Sequence, residues 1–395
     1  MRTKGRRLLL CAVLALAMLL PVGTAGASSD EAYVPTVNAM NTELTLNCGG
    51  ALLMEQETGE ILYEKGADER LPIASVSKIM TLLLTVEAID RGVLHLDDLV
   101  PVSETAASMG GSQVYLEPGE QITLNDVLKA VFVSSANDGA VALAELVGGT
   151  VEGFVAAMNE RAAALGMHDT IFYNPTGLDD GDTNLSTARD VALMSRALLS
   201  HKIVYDYTTI WIDSIRNGAF GLSNTNKLIR FYPGATGLKT GSTGKAKYCV
   251  AASAERNGLK LIAVVLAGES SQARFDAAKT LLDHGFAGYA YFQPEEGELP
   301  RIPVWGGEAA DVGVKAERKG LLLNKADAAG METETLIAEE LSAPVEAGQT
   351  VGVIRYRSAG KVVCEVPVTA AETVPALSFG GVFRRLCRLF FTGKA

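Results

Sequence analysis

A chain of 395 residues, 48% hydrophobic and 21% charged, is too apolar to be disordered and long enough for two folded domains with appendages. Its formal net charge of −11 speaks against nucleic acid as a partner. Five cysteines without C-x-x-C spacing and four scattered histidines (His95, His168, His201, His284) indicate neither a metal site nor a disulfide framework, so no metal and no cofactor is expected.

The chain opens with Arg2, Lys4, Arg6 and Arg7, then an apolar run from Leu8 to Leu20 and Ala25-Gly26-Ala27. That order, with an A-x-A site, predicts a secretory signal peptide over residues 1–27, since the run is short for a membrane span. Removing its four cations and no acid takes the net charge from −11 to −15. Cys11 leaves with it, and export leaves open a bridge between Cys48 and Cys249. After a polar lead-in to Asn47, Ala51–Met54 and Glu60–Tyr63 flank Glu57-Thr58-Gly59, which predicts a hairpin.

Ala74-Ser75-Val76-Ser77-Lys78 then opens an apolar helix running to Ile89. Helical spacing puts Lys78 within reach of the Ser75 hydroxyl, and a desolvated lysine can take a serine's proton. Alone the pattern is weak: serine favours the helix N-cap, and Ser242-Thr243-Gly244-Lys245 has the same spacing in a glycine-broken segment.

Downstream, Thr123–Asp126 caps a helix over Val127–Val133, Ser135-Ala136-Asn137 interrupts it, and Ala140–Val147 resumes. A polar S-x-N between apolar helices must face something polar. Helices follow over Val151–Leu165 and from Ser186 to about Leu199, with a loop Asn174-Pro175-Thr176-Gly177-Leu178 between them. Strands are expected at Lys239-Thr240-Gly241, Tyr248–Ala252 and Leu259–Ala267, the last pair turned by Asn257-Gly258, then a helix over Phe275–Leu282. Strands, then helices, then strands is an α+β pattern, helices on an antiparallel sheet, filling residues 28–292.

An acidic, proline-bearing stretch, Gln293–Pro300, precedes short strands at close spacing in residues 301–372, a small β-sandwich or barrel. In residues 377–395, Phe379, Val382, Phe383, Leu386, Leu389 and Phe390 recur at helical spacing among Arg384, Arg385, Arg388 and Lys394. No acid follows Glu372, so this is a basic amphipathic helix suited to a membrane surface.

Ser75-x-x-Lys78, Ser135-x-Asn137 and Lys239-Thr240-Gly241 occur in the order that marks penicillin-binding proteins and serine β-lactamases. With Leu71–Ala74, Gly110-Gly111-Ser112, Asn174–Leu178, Ser186-Thr187-Ala188, Asn224-Thr225-Asn226 and Leu341–Pro344, the chain resembles the serine D-alanyl-D-alanine carboxypeptidases, the low-molecular-weight penicillin-binding proteins. The resemblance implies their transpeptidase-like α+β fold. It also implies a Ser75 acyl-enzyme on the peptidoglycan stem peptide, β-lactams as covalent inhibitors, and residence at the outer face of the cytoplasmic membrane. Lys78 would be the base, kept neutral with help from Lys239. Ser135 would bridge the two amines, and Asn137 would hold the substrate amide. Lys239, Thr240, Gly241 and Ser242 would line the substrate strand, with backbone N–H groups of Ser75 and Ser242 as oxyanion hole. Arg274, by position after K-T-G, would bind the terminal carboxylate.

Four positions depart from the family's usual pattern: Ser77 for threonine, Ser242 for histidine or tyrosine, Lys247 for glycine, and Asn184 for histidine. A β-lactamase would need an E-x-x-L-N loop, and Glu120–Asn125 is one residue too long for it. An inert peptidoglycan-binding scaffold would have no need of all five groups Ser75, Lys78, Ser135, Asn137 and Lys239.

Overall fold

The computed structural model describes residues 43–179, 181–294, 297–317 and 320–392; the expected signal peptide lies outside them, as does Lys394. The N-terminal half is built on one antiparallel sheet of β1 (Gly50–Glu55), β2 (Ile61–Lys65), β3 (Ala235–Thr243), β4 (Lys247–Arg256) and β5 (Leu259–Gly268). Its order is β2-β1-β5-β4-β3, so the first strand sits between its hairpin partner and the last. Both expected hairpins form; Asn257 and Gly258 take the positive φ angles that such a two-residue turn requires.

Strand β1 reads Gly-Ala-Leu-Leu-Met-Glu and is buried throughout, because both faces of the sheet are covered. Side chains alternate between two cores. Leu52 and Met54 join Ile262 and Val264 against Ile79, Leu83, Val131 and Phe132. Ala51 and Leu53 join Ala263 and Val265 against Phe275, Leu281 and Leu282. Each fully buried aliphatic contributes about 1.5–3 kcal/mol. The first core belongs to α1 (Lys78–Asp90), α2 (Leu124–Ser134), α3 (Asn137–Gly148), α4 (Val151–Ala164) and α5 (Ala188–Leu199). The second belongs to α6 (Ser271–Gly288), which starts four residues before the expected Phe275 because the Ser270 side chain caps it at Ala273 N.

The C-terminal half has its own sheet: β6 (Val314–Ala316), β7 (Met331–Ile337), β8 (Thr350–Ser358) and β9 (Lys361–Ala370), in the order β6-β9-β8-β7. A smaller three-stranded sheet shares its apolar cluster around Val312, Val345, Ile354 and Val368. Strand 321–324 pairs back with residues 289–292 at the end of α6, tying the halves together. Helix α7 (Phe379–Thr392) closes the chain, with Phe379, Phe383, Phe390 and Phe391 exposed. Cys48, Cys249, Cys364 and Cys387 are free thiols, so the bridge left open between Cys48 and Cys249 is not made.

Candidate active site

Ser75 lies in a 3₁₀ turn, Ala74–Ser77, that runs directly into α1. In a 3₁₀ turn, residues i and i+3 eclipse, which brings Lys78 under Ser75 more directly than an α-helix would. Ala74 holds a left-handed φ of 47°, and the Ser77 hydroxyl donates to its carbonyl at 2.8 Å. A non-glycine residue there costs about 1–3 kcal/mol, which the buried contacts around it must offset.

Lys78 is fully buried, and its amine has three partners. Nζ lies 2.9 Å from Ser75 Oγ, 2.6 Å from Asn137 Oδ1 and 2.7 Å from the Thr176 carbonyl. Two of these can only accept hydrogen bonds. A neutral amine has two N–H bonds and one lone pair, so with both N–H groups directed at Asn137 and Thr176, the lone pair faces the Ser75 hydroxyl. Burial, and then the nearby Lys239 charge, hold the Lys78 pKa well below the ordinary lysine value, against an opposing pull from Asp138. The second S-x-x-K behaves differently: Ser242 and Thr243 end β3, and Lys245 turns away to Thr183 Oγ1 at 2.9 Å.

Ser135 occupies the junction of α2 and α3 with φ 61°, a left-handed turn that aims its side chain inward. Its hydroxyl accepts from Lys239 Nζ at 2.7 Å. Sequence reasoning expects Ser135 to bridge both amines; the structure gives the Lys78 contact to Asn137 instead. The other end of that amide donates to the Gly110 carbonyl at 2.7 Å. Asp138, next in sequence and fully buried, accepts from the backbone N–H groups of Val114 and Leu116. Together Asn137 and Asp138 fasten the 110–116 loop over the site.

Strand β3 passes directly against the nucleophile turn. A Cβ on Gly241 would lie 2.8 Å from the Ile73 carbonyl and 2.9 Å from Ser75 N, so only glycine permits this approach. Lys239 points inward to Ser135, and burial followed by the Arg274 charge lowers its pKa to about 7. Thr240 Oγ1 pairs with Thr225 Oγ1 at 2.7 Å, and Ser242 is exposed at the strand's outer end. Arg274 is buried between the rings of Tyr248 and Phe275 and donates to the carbonyls of Gly241 and Cys249. Its Nε has no partner among the described residues, which leaves a buried donor beside the K-T-G strand.

All nine residues singled out from the sequence therefore lie at one site, where the nucleophile turn, the α2–α3 junction and the edge strand β3 meet. Sequence reasoning assigns no role to Thr176, Asp138, Thr225 or Asn184. Thr176 acts through its carbonyl, which no residue-type pattern reveals. Asp138 had a signal: a carboxylate adjoining Asn137 at an apolar helix start has to find donors.

The model for D-alanyl-D-alanine carboxypeptidases matches residues 36–270, and that for the C-terminal domain of penicillin-binding protein 5 matches residues 295–376. D-alanyl-D-alanine carboxypeptidase DacF of Bacillus subtilis is 37% identical over 358 residues, covering 89% of this chain and 92% of that one. DacC of Escherichia coli is 32% identical over 374 residues, covering 92% of this chain and 90% of the relative. Among solved structures, penicillin-binding protein 5 from Haemophilus influenzae superposes with a TM-score of 0.70 at 28% identity, covering 85% of this chain and 99% of that one. Penicillin-binding protein D2 from Listeria monocytogenes, in its ampicillin-bound form, gives 0.57 at 35% identity over 62% of this chain and 100% of its own. The chain belongs to the D-alanyl-D-alanine carboxypeptidase family.

Proposed function

We propose that the chain is an exported, penicillin-sensitive serine carboxypeptidase that removes the terminal D-alanine from peptidoglycan stem peptides through a Ser75 acyl-enzyme. One observation carries this reading: Lys78 Nζ sits 2.9 Å from Ser75 Oγ while two acceptor-only partners take its N–H bonds. Neutral Lys78 takes the hydroxyl proton as Ser75 Oγ bonds to the carbonyl carbon of the penultimate D-alanine. The C–N bond to the terminal D-alanine then breaks as Ser135 passes a proton to the leaving amine and takes one from Lys239 Nζ. Water then attacks the ester, its proton returns through Ser135 to Lys239, and Ser75 leaves with the proton held by Lys78. Asn137 holds the substrate amide.

The substrate strand runs beside β3, where Thr240 and Ser242 line its path. Backbone N–H groups of Ser75 and Ser242 receive the developing oxyanion, each worth about 3–4 kcal/mol. Lys239, Thr240 and Arg274 supply the positive, donor-rich end that a free carboxylate requires. A β-lactam offers the same carbonyl in a ring, and its acyl group stays tethered. The basic, apolar leader and the A-x-A site support export. Exposed phenylalanines on α7, with arginines in the same stretch of sequence, support a peripheral seat on the membrane's outer face.

Intact-protein mass spectrometry after exposure to penicillin, followed by peptide mapping, tests the reading. The expected result is one stable adduct on Ser75, absent in Ser75→Ala, together with loss of D-alanine release in that variant. Rapid turnover of the adduct would assign a β-lactamase instead, and no adduct would indicate an inert scaffold.

A further inference from the structure

The carbonyl of Thr176 takes one of the two N–H bonds of neutral Lys78, so whatever fixes that carbonyl helps to aim the lone pair at Ser75. Its turn is shaped by Asn174, whose Oδ1 accepts from Thr176 N, Thr176 Oγ1 and Gly177 N. Asn174 is held in turn by Asn184, which is buried and uses the full capacity of its amide. Asn184 Oδ1 accepts from the backbone N–H groups of Tyr173 and Asn174, at 2.7 and 3.2 Å. Its Nδ2 donates to the Asn174 carbonyl and to Ser77 Oγ, both at 2.9 Å. Ser77 Oγ then donates to the Ala74 carbonyl, one residue before the nucleophile, and the Asn184 carbonyl accepts from Ile73 N.

A single amide thus joins the turn that supplies the base's acceptor to the turn that supplies the nucleophile. Two backbone N–H groups point at its oxygen, so its orientation is fixed, and an apolar replacement would strand donors and acceptors on both sides.

We infer that Asn184 is a positioning residue for the acylation step: it sets the Thr176 carbonyl relative to Ser75, and so directs the Lys78 lone pair. This rests on the acyl-enzyme reading above. The charged groups bearing on Lys78 are Lys239 of β3 and Asp138 of α3, and neither belongs to this network.

Stopped-flow acylation by a fluorescent penicillin, run from pH 5 to 10 on the full chain, tests it. In Asn184→Leu the plateau rate constant should fall about tenfold. The acid limb should also move to lower pH, because an ammonium deprived of one acceptor gives up its proton more readily. Asn184→His, which keeps one donor and one acceptor, should recover most of the rate. Ser77→Ala cuts only the tie to the nucleophile turn and should shift plateau and limb in the same direction by less, even if Asn184→Leu fails to fold.

Wild-type plateau and limb in the variants that fold would overturn the inference. So would a lower rate with an unmoved limb and a matching loss of titratable sites, the mark of a purely structural role. If the wild-type chain itself forms no Ser75 adduct, it is the acyl-enzyme reading that fails.

Discussion

The two halves of the molecule both carry surface ion pairs, such as Arg189 with Asp68, but among the described residues only the N-terminal half buries charged side chains. In the N-terminal half, Lys78, Lys239, Asp138 and Arg274 are buried, and each is held by side-chain or backbone groups of other elements. In the C-terminal half the ion pairs stay in solvent: Arg301 with Asp311 and Glu372, Arg355 with Glu365, and Arg357 with Glu334. Burying a charge costs several kcal/mol unless partners compensate, whereas an exposed pair contributes about 0–1 kcal/mol. The costly arrangement is densest around Ser75 and the β3 edge, with Glu55 and Asp190 buried elsewhere in the same half, and clustered pKa shifts of this kind mark a candidate site of chemistry. The C-terminal sheet carries no comparable cost, which fits a supporting rather than a chemical part.

Three measurements would break or sharpen this contrast. The largest effect is expected for Gly177→Ala. A Cβ at residue 177 would lie 1.9 Å from the Ala74 carbonyl, on a backbone with φ 76°. Overpacking and left-handed strain together should cost about 2–5 kcal/mol, and acylation should fall with stability because the nucleophile turn and the Thr176 carbonyl both shift. Urea unfolding and penicillin labelling would read the two losses; wild-type values for both would show that the turns are not in tight contact.

Next is the pH dependence of stability. Lys239 has a folded pKa lowered from 10.5 to about 7, so between those values the unfolded chain binds a proton that the folded chain does not. Stability from this group therefore falls as pH drops from about 10.5 to about 7, with a limiting slope of about 1.4 kcal/mol per pH unit. Comparing wild type with Lys239→Met at pH 7.5 and 9 isolates that share, since the acidic remainder of the chain is common to both. Equal pH slopes would mean that Lys239 is not desolvated. The smallest effect is expected for Arg301→Ala, whose partners lie 2.6 and 3.0 Å away on an open surface. Its unfolding midpoint should barely move, and D-alanine release should not change. A larger loss would give the C-terminal half a buried electrostatic role after all.

Much of this architecture was legible because the relevant signals are local. Asn257-Gly258 and Glu57-Thr58-Gly59 mark the hairpins, and the apolar runs Ala51–Met54 of β1 and Leu261–Ala267 of β5 mark a sheet covered on both faces. The S-x-x-K spacing anticipated the Ser75–Lys78 contact, although the segment is a 3₁₀ turn before it is an α-helix. Strand β7 has little apolar patterning to reveal it, because Met-Glu-Thr-Glu-Thr-Leu-Ile carries four polar residues in a row and edges its sheet. The short strand at residues 289–292 was hidden at the end of a helix and is defined only by its distant partner at 321–324. At the candidate site, side-chain chemistry was readable and backbone chemistry was not. Thr176 contributes a carbonyl common to every residue type. Asn184 stands out only as a departure from the usual histidine, and its four hydrogen bonds are visible only in the folded chain.

The place of β1 at the middle of the sheet has a bearing on how the protein is made. Gly50 faces Leu266 across the ladder, so an early-synthesised strand must wait for one of the last of its half before it gains its inner neighbour. Such a pairing closes a very long loop and forms late. A growing chain therefore cannot set the Ser75 turn against a finished sheet until residue 268 has been made, and a fragment ending before β5 would leave β1 with an open flank, ready to aggregate.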